Sequence, residues 1–499
     1  MSERLLCHRL LRGFVFAMLL SVLFPAVARA HGRLKSSVPA AGAHLAQVPR
    51  GLRLDFSEVP DLTFSTIRLQ GPDGRDIPLG AIVYAVDSRR ALTVPIAGAM
   101  VPGVYAIAWQ MAGDDGHPVR GRIEFVVAPG AMGVGAIPSG ITAIPPGTVP
   151  ADTGMAGMHH DPVSMPEGNG FGAESVVYVI IRWVQFVALL LLIGAVSFHT
   201  FVLGFLHRDP RSEAQPNETA LIDAADTRAA RVGYAAALAL IITLLARLTA
   251  QSYAMHGALS PFNPALTGPM LARTMWGWGW LLQLTGVVVA GIGLHRARVP
   301  RSVLASGSAL RPNHVSWRMA GLGAVLLAFS PGLSSHAAAA PQFRLLAMLA
   351  DGLHVLGASS WLGTLSIVLL AGLSTVAGDN SPRAGAFVRD LINAFSPVAL
   401  VSAGIATTTG VFAAWLHVGT IPNLWSTRYG LTLLVKLSVL GIVALTGFYN
   451  WRFVQPKLGA PDATAHLKRS ALVEVGVAVI VLLVTAVLVA SPTSMDMVM

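Results

Sequence analysis

The sequence predicts a small all-β unit, sandwich or barrel, followed by an all-α polytopic membrane domain of about eight transmembrane helices. Three observations carry this. First, 54% of the 499 residues are hydrophobic and 12% are charged, against about 25% charged in soluble domains. Second, from residue 173 onward apolar runs long enough to cross a bilayer recur in succession. Third, between residues 31 and 128 the apolar residues come in short clusters of strand length, parted by turn signals.

The chain opens with Arg4, Arg9 and Arg12, an apolar run from Phe14 to Val27, and the small-x-small triplet Ala28-Arg29-Ala30. That is the pattern of a secretory signal peptide over residues 1–30, with cleavage expected after Ala30. Cleavage makes His31 the first residue of the mature chain. It then offers a freed α-amine and an imidazole together, and Cu(II) heads the affinity order for nitrogen ligands. Taken alone, His31 is also simply whichever residue cleavage leaves first. The single cysteine, Cys7, departs with the leader. Any metal on the mature chain is therefore held by His, Met, carboxylate or backbone groups.

Strands are expected at Leu52–Phe56, Thr66–Leu69, Leu92–Val94, Val104–Trp109 and Ile123–Val127, with turns at Gly71-Pro72-Asp73-Gly74 and Val101-Pro102-Gly103. Short strands at this spacing suggest a sandwich or a barrel. Just before the last strand runs Asp114-Asp115-Gly116-His117-Pro118-Val119-Arg120-Gly121. On an extended backbone Asp115 and His117 point to the same side. With His31 and its amine they make a nitrogen and oxygen set suited to tetragonal Cu(II); alone, Asp-x-His is also an ordinary surface turn. His44 is read as a solvated loop position.

The opening His31-Gly32-Arg33-Leu34-Lys35-Ser36-Ser37-Val38-Pro39-Ala40-Ala41-Gly42-Ala43 is similar to the start of CopC-type periplasmic copper-binding proteins. Asp115-Gly116-His117-Pro118-Val119-x-Gly121 resembles that family's second Cu(II) motif. The resemblance covers the whole of residues 31–128. It implies a cupredoxin-like (Ig-like) β-sandwich with a Cu(II) site at one pole, held by His31, Asp115 and His117.

Residues 129–172 read as a Gly- and Pro-rich tether. It carries Met155, Met158, His159, His160 and Met165, soft and borderline ligands suited to Cu(I). The same methionines are also compatible with a plain tether. Eight spans follow at roughly 175–204, 229–251, 271–295, 317–336, 342–373, 389–417, 427–452 and 469–490. Lys and Arg collect in the loops after the odd-numbered spans, whereas 252–270, 337–341 and 418–426 carry none. The positive-inside rule then places the even-numbered loops and both mature termini outside, in agreement with the leader. The expected location is a bacterial inner membrane, with the β-unit and the C-terminus on the periplasmic side.

Ionisable residues inside spans default to functional hypotheses. The set here is His256, His336, Asp351, His354 and His417, with Asp351, His354 and Trp361 spaced to share a helix face. In this reading Asp351 orients or balances His354. His199 is an exit site or an interfacial residue. Arg182, Arg247, Arg344 and Lys436 are expected to snorkel, with Arg247 or Lys436 as a candidate partner of Asp351. Ser335-His336-Ala337, Asp351-Gly352-Leu353-His354-Val355-Leu356-Gly357-Ala358-Ser359-Ser360-Trp361-Leu362-Gly363, Tyr429-Gly430-Leu431-Thr432-Leu433-Leu434-Val435-Lys436 and Leu472-Val473-Glu474-Val475-Gly476 resemble the CopD family of copper-resistance membrane proteins. That resemblance is clearest over 330–490. It implies an eight-helix membrane domain over 173–499 that handles copper. Alternating methionines near the C-terminus, Met495, Met497 and Met499, are a further soft-ligand candidate or a frayed end.

No phosphate-cradling GxxxxGK[ST] loop occurs, which argues against ATP-driven pumping by this chain. Basic residues are scattered, without the clustered stripe of a nucleic-acid surface. The expectation is a copper homeostasis and resistance protein, not an enzyme. Its partners are the copper ion, the lipid bilayer and other periplasmic copper carriers, with no nucleic acid. It takes Cu(II) in the β-unit and Cu(I) in the tether and helices, with import favoured. Two rivals are a haem-binding membrane reductase acting on copper, and a copper-delivery factor for oxidase assembly that transports nothing.

Overall fold

The computed structural model describes residues 34–57, 59–62, 65–112, 118–130, 175–207, 216–256, 263–299, 312–334, 344–379, 381–457 and 463–491. They fall into two units.

Among the described residues of the β-unit nine strands form two sheets. One has the order β1 (Leu34–Val38), β3 (Gly51–Phe56), β7 (Ser88–Pro95), β6 (Val83–Ala85). The other runs β2 (His44–Leu45), β9 (Pro118–Val127), β8 (Gly103–Ala112), β4 (Thr66–Gln70), β5 (Asp76–Ile77). Neighbours are antiparallel except β2 on β9. Two separate sheets resolve the sandwich-or-barrel alternative in favour of the sandwich.

Alternation builds the core. Leu52, Leu54 and Phe56 of β3 point inward to meet Leu92 and Val94 of β7, and Ile107, Trp109 and Met111 of β8 close from the other sheet. Phe56 packs edge-on against Trp109 with ring centroids 5.3 Å apart. The Tyr105 hydroxyl donates to the Val101 carbonyl and accepts from its N–H, both at 2.7 Å, which pins the turn before β8. On the outward face of β3 Arg53 bridges Asp55 and Asp87 at 2.9 Å each. These bonds raise the guanidinium pKa further, and Arg53 holds the Asp87 carboxyl below the usual carboxylate range. His44 is exposed, as expected, but it lies in strand β2 opposite Val126 rather than in a loop.

In the helical unit we number the long helices α1 (Val176–Leu206), α2 (Pro216–His256), α3 (Met275–Ala297), α4 (Pro312–Leu333), α5 (Arg344–Leu373), α6 (Pro382–Val418), α7 (Arg428–Val454) and α8 (Ala463–Ala490). Among the described residues seven of them, all but α4, hold a window long and apolar enough to cross a membrane. Polar His314, Ser316 and Arg318 near its start dilute the apolar character of α4. It nevertheless lies antiparallel along the length of α3. Backbone approaches pair Gly279 with Ser330, Gly286 with Gly323 and Leu327, and Gly293 with Ser316 and Ala320. An antiparallel partner over the full length of a span traverses the same thickness, so the expectation of about eight is close.

Hydroxyls cap the helix starts. Ser175 accepts from the Tyr178 N–H, Thr274 from Gly277, Ser381 from Ala384 and Thr427 from Gly430. Helix α1 crosses α5 where Gly194 meets Gly363; a Cβ on either would overlap the other's backbone. Small residues permit such an approach in a bilayer. π-Helical turns flank the crossing at Phe198–Leu203 and Ser359–Gly363, and Ser197 hydrogen-bonds Ser360 at 2.9 Å.

Candidate metal site

His31, Asp115 and His117 lie outside the described residues, so the structure places their flanking strands rather than the ligands. Leu34, which opens β1, is paired with Phe56. The Phe56 ring packs on Trp109, and Trp109 is paired with Gly121 of β9. Met111 pairs with Val119 one step nearer the β8–β9 connection. The start of β1, the end of β8 and the start of β9 therefore lie at one pole of the sandwich. His31 precedes Leu34 by three residues, a reach of roughly 10 Å in extended chain. His117 directly precedes Pro118, the first residue of β9. Gly121 is obligatory at this end, because a Cβ there would overlap the Trp109 indole. The Trp109 Nε1 is buried without an acceptor among the described residues.

Met155, Met158, His159, His160, Met165 and His336 also lie outside the described residues. His256 is the last residue of α2, and its side chain is likewise not described. Among the described residues no group of three or more His, Cys, Asp or Glu is gathered as a metal would need.

The remaining membrane residues converge on α7. His354 Nδ1 lies 2.9 Å from the Ala406 carbonyl and 3.2 Å from Thr409 Oγ1, both on α6. A carbonyl only accepts, so Nδ1 carries the proton and the Nε2 lone pair is left for another partner. His417 is fixed the same way, Nδ1 donating to the Ala413 carbonyl at 2.7 Å, and its ring centroid is 6.0 Å from that of Tyr429. Asp351 lies within electrostatic reach of Tyr429 and Lys436, and His354 within reach of Lys436. The Ala406 carbonyl orients His354, and Lys436, one of the two expected partners of Asp351, stands in its electrostatic field. Trp361 packs against the apolar clusters.

Two features escaped the sequence reading. His199, in the π-turn of α1, contacts Asp226 of α2 through Nδ1 at 2.7 Å and stacks on Trp317 of α4 with centroids 4.1 Å apart. Trp317 Nε1 donates to the other carboxylate oxygen at 3.3 Å. Asp226 is 3% exposed. The available signal was an acid three residues ahead of the expected span. Arg182 does not snorkel: it is 8% exposed and turned inward over the Tyr178 ring. Arg247 is bound to Gln283 and Ser334, and Lys436 stands in the electrostatic field of Asp351.

Comparison with known proteins matches residues 34–128 to the CopC domain, 173–343 to the copper resistance protein D-like N-terminal domain, and 389–488 to copper resistance protein D. The chain is 23% identical over 487 residues to copper transport protein CutJ of Bacillus subtilis, covering 97% of this chain and 78% of CutJ. It is 31% identical over 119 residues to protein YobA of Escherichia coli, covering 24% of this chain and 95% of YobA. Among solved structures it is similar to CopC from Methylosinus trichosporium OB3b, with 27% identity, 20% of this chain and 95% of that one covered, and a TM-score of 0.19.

Proposed function

The chain belongs to the copper-resistance family in which a CopC domain is joined to a CopD membrane domain, and from that premise we propose that it captures Cu(II) outside the inner membrane of a bacterial cell and passes copper to or across that membrane, import being the favoured direction. The observation that carries the reading is that the start of β1, the end of β8 and the start of β9 lie at one pole of the sandwich.

Copper is the cargo. The His31 amine and imidazole, Asp115 and His117 grip it as Cu(II), because three nitrogens and one oxygen in a plane match that ion's tetragonal preference. Removal of the leader is a condition of capture, since an amide nitrogen in place of the amine has no lone pair to give. Softer groups take the metal onward as Cu(I): Met155, Met158, His159, His160 and Met165 in the tether, then His256, His336, His354 and His417 among the helices. The bond that holds His354 by Nδ1 supports this, since it aims an unprotonated Nε2 without a rotamer search. Asp351 offsets Lys436 and limits the repulsion that a lone buried ammonium exerts on a passing cation. In this reading the protein is a carrier with no catalytic step of its own.

Copper uptake by sealed vesicles holding the purified mature chain tests the proposal. Accumulation that saturates with copper and is lost in His31→Ala and His354→Ala supports it. A chain that binds copper but accumulates none, or that shows a Soret band and reduces Cu(II), overturns it.

A further inference from the structure

We propose that Arg182 and Arg247 form a binding site for an oxyanion, a carboxylate or phosphate group, at the end of the helical bundle where α1 begins and α2 finishes.

The two arginines come from different helices and share one polar cluster. Arg182 and Gln185 lie on one face of α1, and Gln185 Nε2 donates to Gln283 Oε1 of α3 at 2.9 Å. Arg247 of α2 donates to that same oxygen at 3.3 Å and to Ser334 Oγ, beyond the end of α4, at 3.2 Å. Arg182 reaches the Ala486 carbonyl of α8 at 3.5 Å and lies 4.7 Å over the Tyr178 ring; Arg247 lies 5.5 Å over the Trp276 ring. Each guanidinium stands within the electrostatic field of the other.

Among the described residues the cluster has no counter-charge. Among the described residues neither arginine is in a salt bridge, whereas Arg53 in the β-unit engages two carboxylates. Arg182 is 8% exposed, Gln185 2% and Gln283 3%, so water solvates them little. The Arg247 Nε is buried with no acceptor. Amides, a hydroxyl, a carbonyl and two ring faces supply partial charges, which soften the repulsion between two cations without cancelling it. Unpaired charge in a low-dielectric bundle is costly, and ionisable residues at membrane depth persist where they pair or bind. A planar fork of donors fits a carboxylate or phosphate bidentately. Arg247 is half-buried, so the cluster is not wholly enclosed. A bare copper ion gains nothing here, because both charges repel it. The site is therefore separate from the copper ligands of α5 and α6, and it stands or falls independently of the transport reading.

The oxyanion can belong to an anionic lipid headgroup or to a small soluble anion. The test uses the full mature chain, purified and delipidated in detergent. Its thermal unfolding midpoint is measured with added inorganic phosphate or citrate against chloride at equal ionic strength, and in nanodiscs of phosphatidylglycerol against phosphatidylcholine. The expected result is a saturable rise of several degrees in the soluble arm or the lipid arm, which identifies the source. Arg247→Gln loses most of that rise while folding to the same helical content, and Arg247→Lys keeps part of it. Arg182→Gln does the same where it folds; the half-buried Arg247 variants decide the matter where it does not. Equal midpoints in all arms, or an undiminished rise in Arg247→Gln, overturn the proposal.

Discussion

Gly363→Ala separates close helix packing from helix propensity, because the two act in opposite directions at that residue. Alanine is favoured over glycine in a helix interior by about 1 kcal/mol. At Gly363, however, the new Cβ would overlap the backbone of α1 at Leu190 and Gly194. Backbone cannot rotate away as a side chain can, so α1 and α5 must move apart. Overpacking costs up to about 3 kcal/mol, which leaves a net loss of about 2 kcal/mol, or roughly thirtyfold in the unfolding equilibrium. Gly441 in α7 is the control, since a Cβ there meets nothing within 4 Å. Gly441→Ala should stabilise by up to about 1 kcal/mol. Unfolding of the full chain by SDS in mixed micelles, followed by far-UV circular dichroism, measures both. Adding Gly194→Ala to Gly363→Ala should cost less than the sum of the singles, because one methyl already holds the helices apart. Equal effects at Gly363 and Gly441, of either sign, would refute the crossing as described.

Three further outcomes follow from the same contacts. Asp87→Asn should weaken the β-unit at neutral pH by removing a partner of Arg53. Arg53 lowers the folded pKa of Asp87, so the pair stabilises the chain above an unfolded value of about 4 and loses that contribution as pH falls through the lowered one. In calorimetry the gap between parent and Asp87→Asn should narrow in acid, and a gap that widens would count against the pair. Asp226→Leu strips the acceptor from His199 and Trp317 and should cost about 1–3 kcal/mol in the micelle titration; Asp226→Asn, which keeps one acceptor oxygen, should cost less. His354→Phe should retain the fold and cut vesicle copper uptake at least tenfold, and unaltered uptake would remove His354 from the path.

The strands with clear alternation were legible in the sequence. Leu52–Phe56 and Val104–Trp109 fall inside β3 and β8 because apolar residues on one face of a pleat announce themselves. Strand β1 was not: Leu34-Lys35-Ser36-Ser37-Val38 is an edge strand whose Lys35 and Ser36 face solvent, so it has no apolar rhythm to detect. The spans were legible from length and hydropathy, since a bilayer demands both. What hydropathy hides is the polar interior. Asp226 fell outside the expected second span because charged residues end such runs, yet in the structure its helix begins at Pro216 and the acid is bound by His199 and Trp317 from two neighbouring helices. Arg182 lies inside the expected first span near its outer end, where snorkelling is the sequence expectation. A snorkelling arginine and an inward one differ in which face their helix presents, and only the packing of α1 against α3 and α8 sets that. The candidate metal ligands stand in the sequence beside strand ends, and the topology of the sandwich brings those strand ends to one pole.

The central claim is that the freed amine of His31 grips the metal. Its most direct test is the electron paramagnetic resonance spectrum and Cu(II) affinity of the mature full chain beginning at His31, compared with the same chain carrying one alanine ahead of it. The account predicts that the added residue weakens Cu(II) binding by tenfold or more and removes one nitrogen from the coordination sphere. Identical spectra and affinities in the two chains would contradict it.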